Sequence, residues 1–429
     1  MIALLGLAAR LALLVSSGNR PVGPFGGEGD QIRYLALADS ILQGRGFSYG
    51  GQPTALRPPM YPLLLAGFHL AFGQHYLVAV RIFQFLIGMA VALVCLLLGS
   101  TLFGKATGAM AAAMALALPT LIFINTELQT ETLSAFLIIL FLLFLLAEAR
   151  GEKNGAIGMG IISGFAMLLR FNCAILPAIG AIGCLWFRRS VKSAIIVSLI
   201  AALIVAPWIV RNARAFHGRI LFSSQGGVNL IQGVLTPAGR TQSGDSEKVR
   251  SAVGWLHADI EQNSTQRLQF PSEDQLDKQA RAAAISAWGN LSWHQRLRLL
   301  TGKIVTFWLS TDQLLETSSF SPRQRMLRAT GVIAYWIVLL LSFVGWRNLL
   351  ATSRVSAIVI VLYAAFVTFS HLPFVMNTRL RIPFIDPLLA LLAGGGAWHL
   401  LYRCRWPSGV LIQGQSGEDG ELIASQFDV

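Results

Sequence analysis

Nine apolar stretches dominate this sequence, at 1–17, 76–99, 107–124, 132–147, 157–187, 193–210, 329–346, 355–371 and 383–402, each approaching or exceeding the roughly 20 residues that a helix needs to cross a bilayer core. The fifth is too long for one span and carries Arg170-Phe171-Asn172 at its middle. It reads as a helical hairpin, 157–169 and 173–187, which raises the expected total to about ten spans, within a range of 9–13. Only 13% of the chain is charged and 54% is hydrophobic, against about a quarter charged in soluble proteins. A single water-soluble domain is excluded, and the fold class expected is an all-α polytopic membrane protein.

Basic residues orient the spans. With the amino terminus inside, the inner loops hold Lys105, then Arg150 and Lys153, then Arg188, Arg189 and Lys192, then Arg347 and Arg354, and Arg403 with Arg405 follow the last span. Stretch 1–17 contains Arg10 and ends in Ser16-Ser17-Gly18, which imitates a signal-peptidase site. No basic segment precedes it, so it is read as a retained anchor. Segment 303–317 is interrupted by Asp312 and Glu316 and is read as an interfacial helix.

The expected organisation is a transmembrane module at 1–210 with an outer loop at 18–75, a polar outer domain at 211–328, further spans at 329–402, and a disordered cytosolic tail at 403–429. Within the outer domain, a Gly- and Ser-rich stretch at 223–246 precedes helical patterning from about 247 to 300. The triplets at Asn263 and Asn290 fit a glycosylation pattern that chance also supplies. Cys95, Cys173, Cys184 and Cys404 form no CxxC pair and suit buried apolar roles rather than disulfides or a thiolate metal site. The net charge of +13 favours anionic lipid. Nucleic acid is not an expected partner, because no soluble basic domain exists to carry it.

Residues suited to chemistry gather on the expected outer face. Asp30 opens an amphipathic run with Ile32, Leu35, Ala36, Ile41 and Leu42; capping that helix is its plainer role. Arg57 precedes Pro58 and Pro59, and three prolines in five positions present it from a stiff turn at the membrane surface. Its plainer role is a snorkelling arginine. Glu127 and Glu131 are four apart and would share one helix face; helix-dipole pairing explains one acid there better than two. Arg170, Arg211, Arg379 and Arg381 sit where the positive-inside rule would not put them. Arginine donates bidentate hydrogen bonds to phosphate, so outer arginines opposite outer carboxylates suggest a lipid-linked phosphate beside a general base. No Walker A, GxSxG, HExxH or dinucleotide motif is present.

An outer-loop Asp30 followed by Tyr34, then RPPMYPLLLAG from Arg57, the acid-bearing loop before the fourth span, APWIVRN from Ala206 and TRLRIPF from Thr378 occur in that order. This ordered set resembles the dolichyl-phosphate-mannose–protein mannosyltransferase-like family of C-type membrane glycosyltransferases, related to the lipid A aminoarabinose transferase. The resemblance implies a bundle of membrane helices with amphipathic helices and a mixed domain on the outer face. It implies inverting transfer of a sugar, hexosyl or mannosyl, from a polyprenyl-phosphate donor to an acceptor that is a protein, a lipid or a glycan. The site would face outward from a bacterial inner membrane. Asp30 matches the family's catalytic acid, Arg57 the basic residue facing the donor phosphate, and Glu131, with Glu127 beside it, the second acidic position. Tyr34 and Tyr61 fall in the same motifs and would position substrate. In the aminoarabinose branch an acid that can bind a metal precedes the basic-Pro-Pro, whereas Leu56 stands here, so a divalent metal cofactor is left open. A lipid-linked sugar or polysaccharide flippase is the competing class, and a non-catalytic scaffold a third. Alternating access would want polar residues at midplane depth and repeat symmetry, and neither is visible.

Overall fold

The computed structural model describes residues 1–21, 28–152, 154–235, 272–311, 322–376 and 378–405. The triplet at Asn263, the interruption at Asp312 and Glu316, and the tail from Trp406 lie outside the described residues, as do the side chains of Lys153, Arg403, Cys404 and Arg405.

Each expected apolar stretch carries helix. The elements are α1 (Ile2–Ser17), α2 (Glu28–Leu42), α3 (Met60–Phe72), α4 (Tyr76–Phe103), α5 (Lys105–Ala117), α6 (Pro119–Thr126), α7 (Glu131–Ala149), α8 (Gly155–Leu169), α9 (Ile175–Phe187) and α10 (Val191–Ala215). After these come α11 (Gly226–Leu235), α12 (Glu273–Gly289), α13 (Trp293–Leu309), α14 (Pro322–Thr352), α15 (Arg354–His371) and α16 (Thr378–Arg405). Two short antiparallel strands, β1 (Ser48–Tyr49) and β2 (Gln52–Pro53), turn at Gly50 and Gly51, both at positive φ.

Six described helical runs are long and apolar enough to span a membrane, or seven if the bent pair α5–α6 counts as one. The difference from the expected ten lies in α1, α8 and α9, which have 16, 15 and 13 residues. At 1.5 Å per residue these fall short of the roughly 30 Å hydrocarbon core. The expected turn at Arg170-Phe171-Asn172 is present: α8 ends at Leu169, Arg170 is extended and a 3-10 turn runs Phe171–Ala174. Gly160 of α8 meets Val197 and Ile200 of α10, and Gly164 meets Ile204, so α8 and α10 run parallel. Gly180 and Gly183 of α9 meet Phe141 and Leu145 of α7, so these also run parallel. The hairpin therefore rises on α8 and returns on α9.

The boundary expected at 328 falls inside the continuous helix α14. The segment 211–328 is helical where described rather than mixed, and the capping boxes Ser272/Gln275 and Ser292/Gln295 start α12 and α13. Asn290 closes α12.

The centre of the bundle packs α16 against α4, α5 and α14. Gly345 and Gly396 let α14 and α16 touch backbone to backbone, and a Cβ on either would collide with the other helix. Lipid-facing helices gain association from such close approach rather than from the hydrophobic effect. Arg10, conspicuous in an apolar stretch, has a structural purpose. Helices α5 and α6 meet at a 54° bend where Pro119 starts the second, which frees carbonyls at the end of α5. Buried Arg10 donates to Ala115, Leu116 and Leu121 carbonyls at 3.0, 3.2 and 3.1 Å.

Lys105, Arg150, Arg188, Arg189, Lys192, Arg347 and Arg354 are all exposed in the turns at one end of the bundle. The other end holds α2, α3, the β1–β2 pair and α11–α13.

Candidate active site

At that second end a cavity of about 220 Å³ opens among Asp30 and Tyr34 of α2, Arg57, Arg170, Arg379 of α16, and Gln225 and Asn229 at α11. Five expected residues form one alternating chain of charge around it. Arg57 Nη2 donates to Asp30 Oδ1, and Arg379 Nη1 donates to Asp30 Oδ2 at 2.5 Å. Arg379 Nε turns the other way and donates to Glu131 Oε1, which also pairs with Arg170 Nη1 at 2.9 Å. Glu131 is fully buried behind the wall, and its Oε2 has no hydrogen-bond partner among the described residues. Arg33 stands 3.7 Å from Asp30. Burial pushes the Asp30 carboxyl upward, but Arg57 and Arg379 outweigh it and hold it well below the ordinary carboxylate range.

Asp30 is the third residue of α2, so it does not cap that helix. The stiff turn alone does not hold Arg57. Glu273 Oε2 accepts from Ala55 N at 3.0 Å and from Ser224 Oγ at 2.8 Å, and Arg211 Nη1 donates to the Thr54 carbonyl at 2.7 Å. Burial raises the Glu273 carboxyl, opposed by those hydrogen bonds. Gln225 Oε1 then accepts from Arg57 Nη1 at 2.7 Å.

Besides Glu131, four expected residues are not part of the cavity wall. Glu127 does not share a helix face with Glu131: it is extended, between α6 and α7, and buried Gln31 donates to its Oε2 at 2.6 Å. The chain breaks helix there, which the four-residue spacing cannot reveal. Arg211 spends its guanidinium on the Thr54 and Phe47 carbonyls and lies over Phe47 and Trp208. Arg381 is buried under the ring of Tyr335, pairs with Asp386 at 2.9 Å and donates to the Phe307 and Ser310 carbonyls. Tyr61 sits beneath Tyr34, edge to face, and donates to Gln84. Conversely, Gln225, Asn229 and Glu273 went unread, because they stand in a polar segment with no motif. Asn172 also lines the cavity and contacts His371 at 3.3 Å.

The residues present do not fit a divalent cation. On the wall three guanidinium groups face one carboxylate, and among the described residues no three His, Cys, Asp or Glu converge.

Residues 56–210 match the family model of dolichyl-phosphate-mannose-protein mannosyltransferase, so the resemblance drawn from the motifs is met over that stretch. No curated protein matches the chain in sequence. Among solved structures, the oligosaccharyltransferase AglB from Archaeoglobus fulgidus, in complex with an inhibitory peptide and a dolichol-phosphate, aligns over 99% of this chain and 53% of its own, at 12% identity and a TM-score of 0.52. The same organism's enzyme tethered to an acceptor peptide aligns over 95% and 50%, at 13% identity and 0.53. ArnT from Cupriavidus metallidurans bound to undecaprenyl phosphate aligns over 94% and 79%, at 16% identity and 0.43. The chain thus spans about half the length of the archaeal enzyme, with which it shares a fold over that half.

Proposed function

We propose that this integral membrane protein is a glycosyltransferase that moves a sugar from a polyprenyl-phosphate donor to an acceptor hydroxyl on the outer side of the membrane. The observation that carries the reading is Asp30 held between Arg57 and Arg379 in a cavity at one end of the bundle. Counting buried Glu131 and also Arg33, four guanidinium groups gather on two carboxylates there, leaving positive charge in surplus. A polyprenyl-phosphate sugar is a phosphodiester with one negative charge, so the site and the donor are complementary. The family match over 56–210 and the dolichol-phosphate bound by the archaeal structure agree with that chemistry. The outward placement follows from the exposed lysines and arginines at the opposite end.

Arg57 and Arg379 would take the donor phosphate and stabilise the charge that grows on it as the bond to the anomeric carbon breaks. As they turn to the phosphate they release Asp30, whose carboxylate becomes more basic and accepts the proton of the attacking hydroxyl. Attack opposite the leaving phosphate inverts the anomeric carbon. Glu131 and Arg170 position Arg379 from behind.

The test is release of labelled sugar from a panel of polyprenyl-phosphate sugars by purified protein, with water and a lipid extract as acceptors, alongside Asp30→Asn. Turnover that disappears in the variant supports the reading. Absence of turnover for every donor, with protein-dependent movement of lipid across reconstituted vesicles, would replace it with the flippase.

A further inference from the structure

Helix α11 has two faces of different character. Gly227, Val228 and Ile231 press on Leu276, Ala280 and Ala284 of α12, and Asp277 Oδ1 accepts from the Gly227 backbone N at 2.5 Å. Gly233 meets the backbone at Pro373 and Phe374. The helix is thereby fixed at both ends over the cavity. Its other face presents Asn229, and Gln225 stands just before the helix with its carbonyl accepting from Asn229 N at 3.0 Å, so the two are neighbours. Gln225 is committed to Arg57, whereas the half-buried carboxamide of Asn229 makes no hydrogen bond to any described residue.

An amide offers two N–H donors and one carbonyl acceptor, the complement of a hydroxyl that both donates and accepts. Asn229 lies one helical turn from Gln225, about 6 Å along the axis. That is the reach of a sugar ring from an anomeric phosphate held at Arg57.

We propose that α11 is the sugar-reading wall of this cavity and that Asn229 is its specificity-determining residue. The inference rests on the glycosyltransferase reading above and goes beyond it by naming the residue that selects the sugar.

The experiment measures kcat/KM for release of sugar to water from polyprenyl-phosphate mannose, glucose and galactose, their singly deoxygenated analogues and a polyprenyl-phosphate aminopentose. The native protein should lose about tenfold on removal of one particular hydroxyl of its preferred sugar, the worth of a single neutral hydrogen bond. Asn229→Ala should lose a similar factor on the full donor and treat the deoxy analogue as its equal. Asn229→Asp should shift preference toward the aminopentose. Because the side chain bonds to no described residue, all variants should melt with the native protein. An Asn229→Ala variant that keeps the native donor ranking and the native deoxy penalty would overturn the inference while leaving the function standing. A native protein that turns over no polyprenyl-phosphate sugar would instead overturn the function itself, and the inference with it.

Discussion

Replacing Asp30 with Asn separates the roles that this side chain combines. The carboxylate accepts from Arg57 on one oxygen and from Arg379 on the other. The carboxamide keeps one acceptor oxygen and turns an NH₂ toward the second guanidinium. One charge-assisted bond is lost, about 2 kcal/mol of stability, so the variant should fold and melt a few degrees lower. Catalysis should suffer far more, because removal of a general base costs about 10²–10⁴ in turnover, or roughly 3–5 kcal/mol of barrier. Donor binding should move the opposite way. With the competing negative charge removed, Arg57 and Arg379 are free to take the phosphate, and the Kd for polyprenyl phosphate should fall a few-fold. The assay pairs single-turnover sugar release with equilibrium binding of polyprenyl phosphate to the same purified sample. Undiminished turnover would remove Asp30 from the proton transfer. Turnover and phosphate binding lost in parallel would mean that Asp30 only holds the arginines in place.

Other substitutions test the parts around it. Arg57→Ala should raise the donor KM at least about tenfold, the worth of one charge-assisted phosphate contact, with a smaller effect on the acceptor KM. Arg10→Met leaves three carbonyls at the α5–α6 bend without their donor; at about 1 kcal/mol or more each, the melting temperature should fall by several degrees while phosphate binding by the folded fraction is unchanged. Because Asp30 is held below its ordinary 3.8 in the fold, its stabilising contribution is present above that value and is lost only as pH falls through the depressed one. A kcat/KM profile measured from pH 5 to 7 should therefore show no limb that Asp30→Asn removes. Lys303, buried with its ammonium on the Leu372 and Phe374 carbonyls, is lowered by burial from 10.5 to about 8. The unfolded chain binds more protons in that interval, so stability should rise with pH between about 8 and 10.5, and Lys303→Met should flatten the slope.

The bundle was legible because apolar runs and basic turns obey the bilayer directly, and their parity also put Asp30, Arg57, Glu131, Arg170 and Arg379 at one end before any coordinate did. Sequence could not say which arginines turn their guanidinium toward the cavity. Arg211 and Arg381 resemble Arg57 and Arg379 in their setting, yet backbone carbonyls and Asp386 consume them. Nor does helical spacing survive a break: Glu127 and Glu131 are four apart in number, but an extended residue stands between two helices. Asn229 and Gln225 carry no motif, and only the packing of α11 on α12 brings them to the wall.

The contact made by Arg10 also bears on how the protein is assembled. Its carbonyl partners lie more than a hundred residues downstream. A chain emerging from its amino terminus must therefore present α1 to the membrane long before the bend that satisfies its guanidinium exists. An unpaired arginine in a helix centre costs about 2.5–3.5 kcal/mol at insertion. The first helix is then a poor entrant on its own and a good one once α5 and α6 have arrived, so biosynthesis of this bundle should be cooperative rather than strictly sequential. A ribosome-arrested chain ending before Leu116 should leave α1 only weakly integrated, and one extended past α6 should lock it in place.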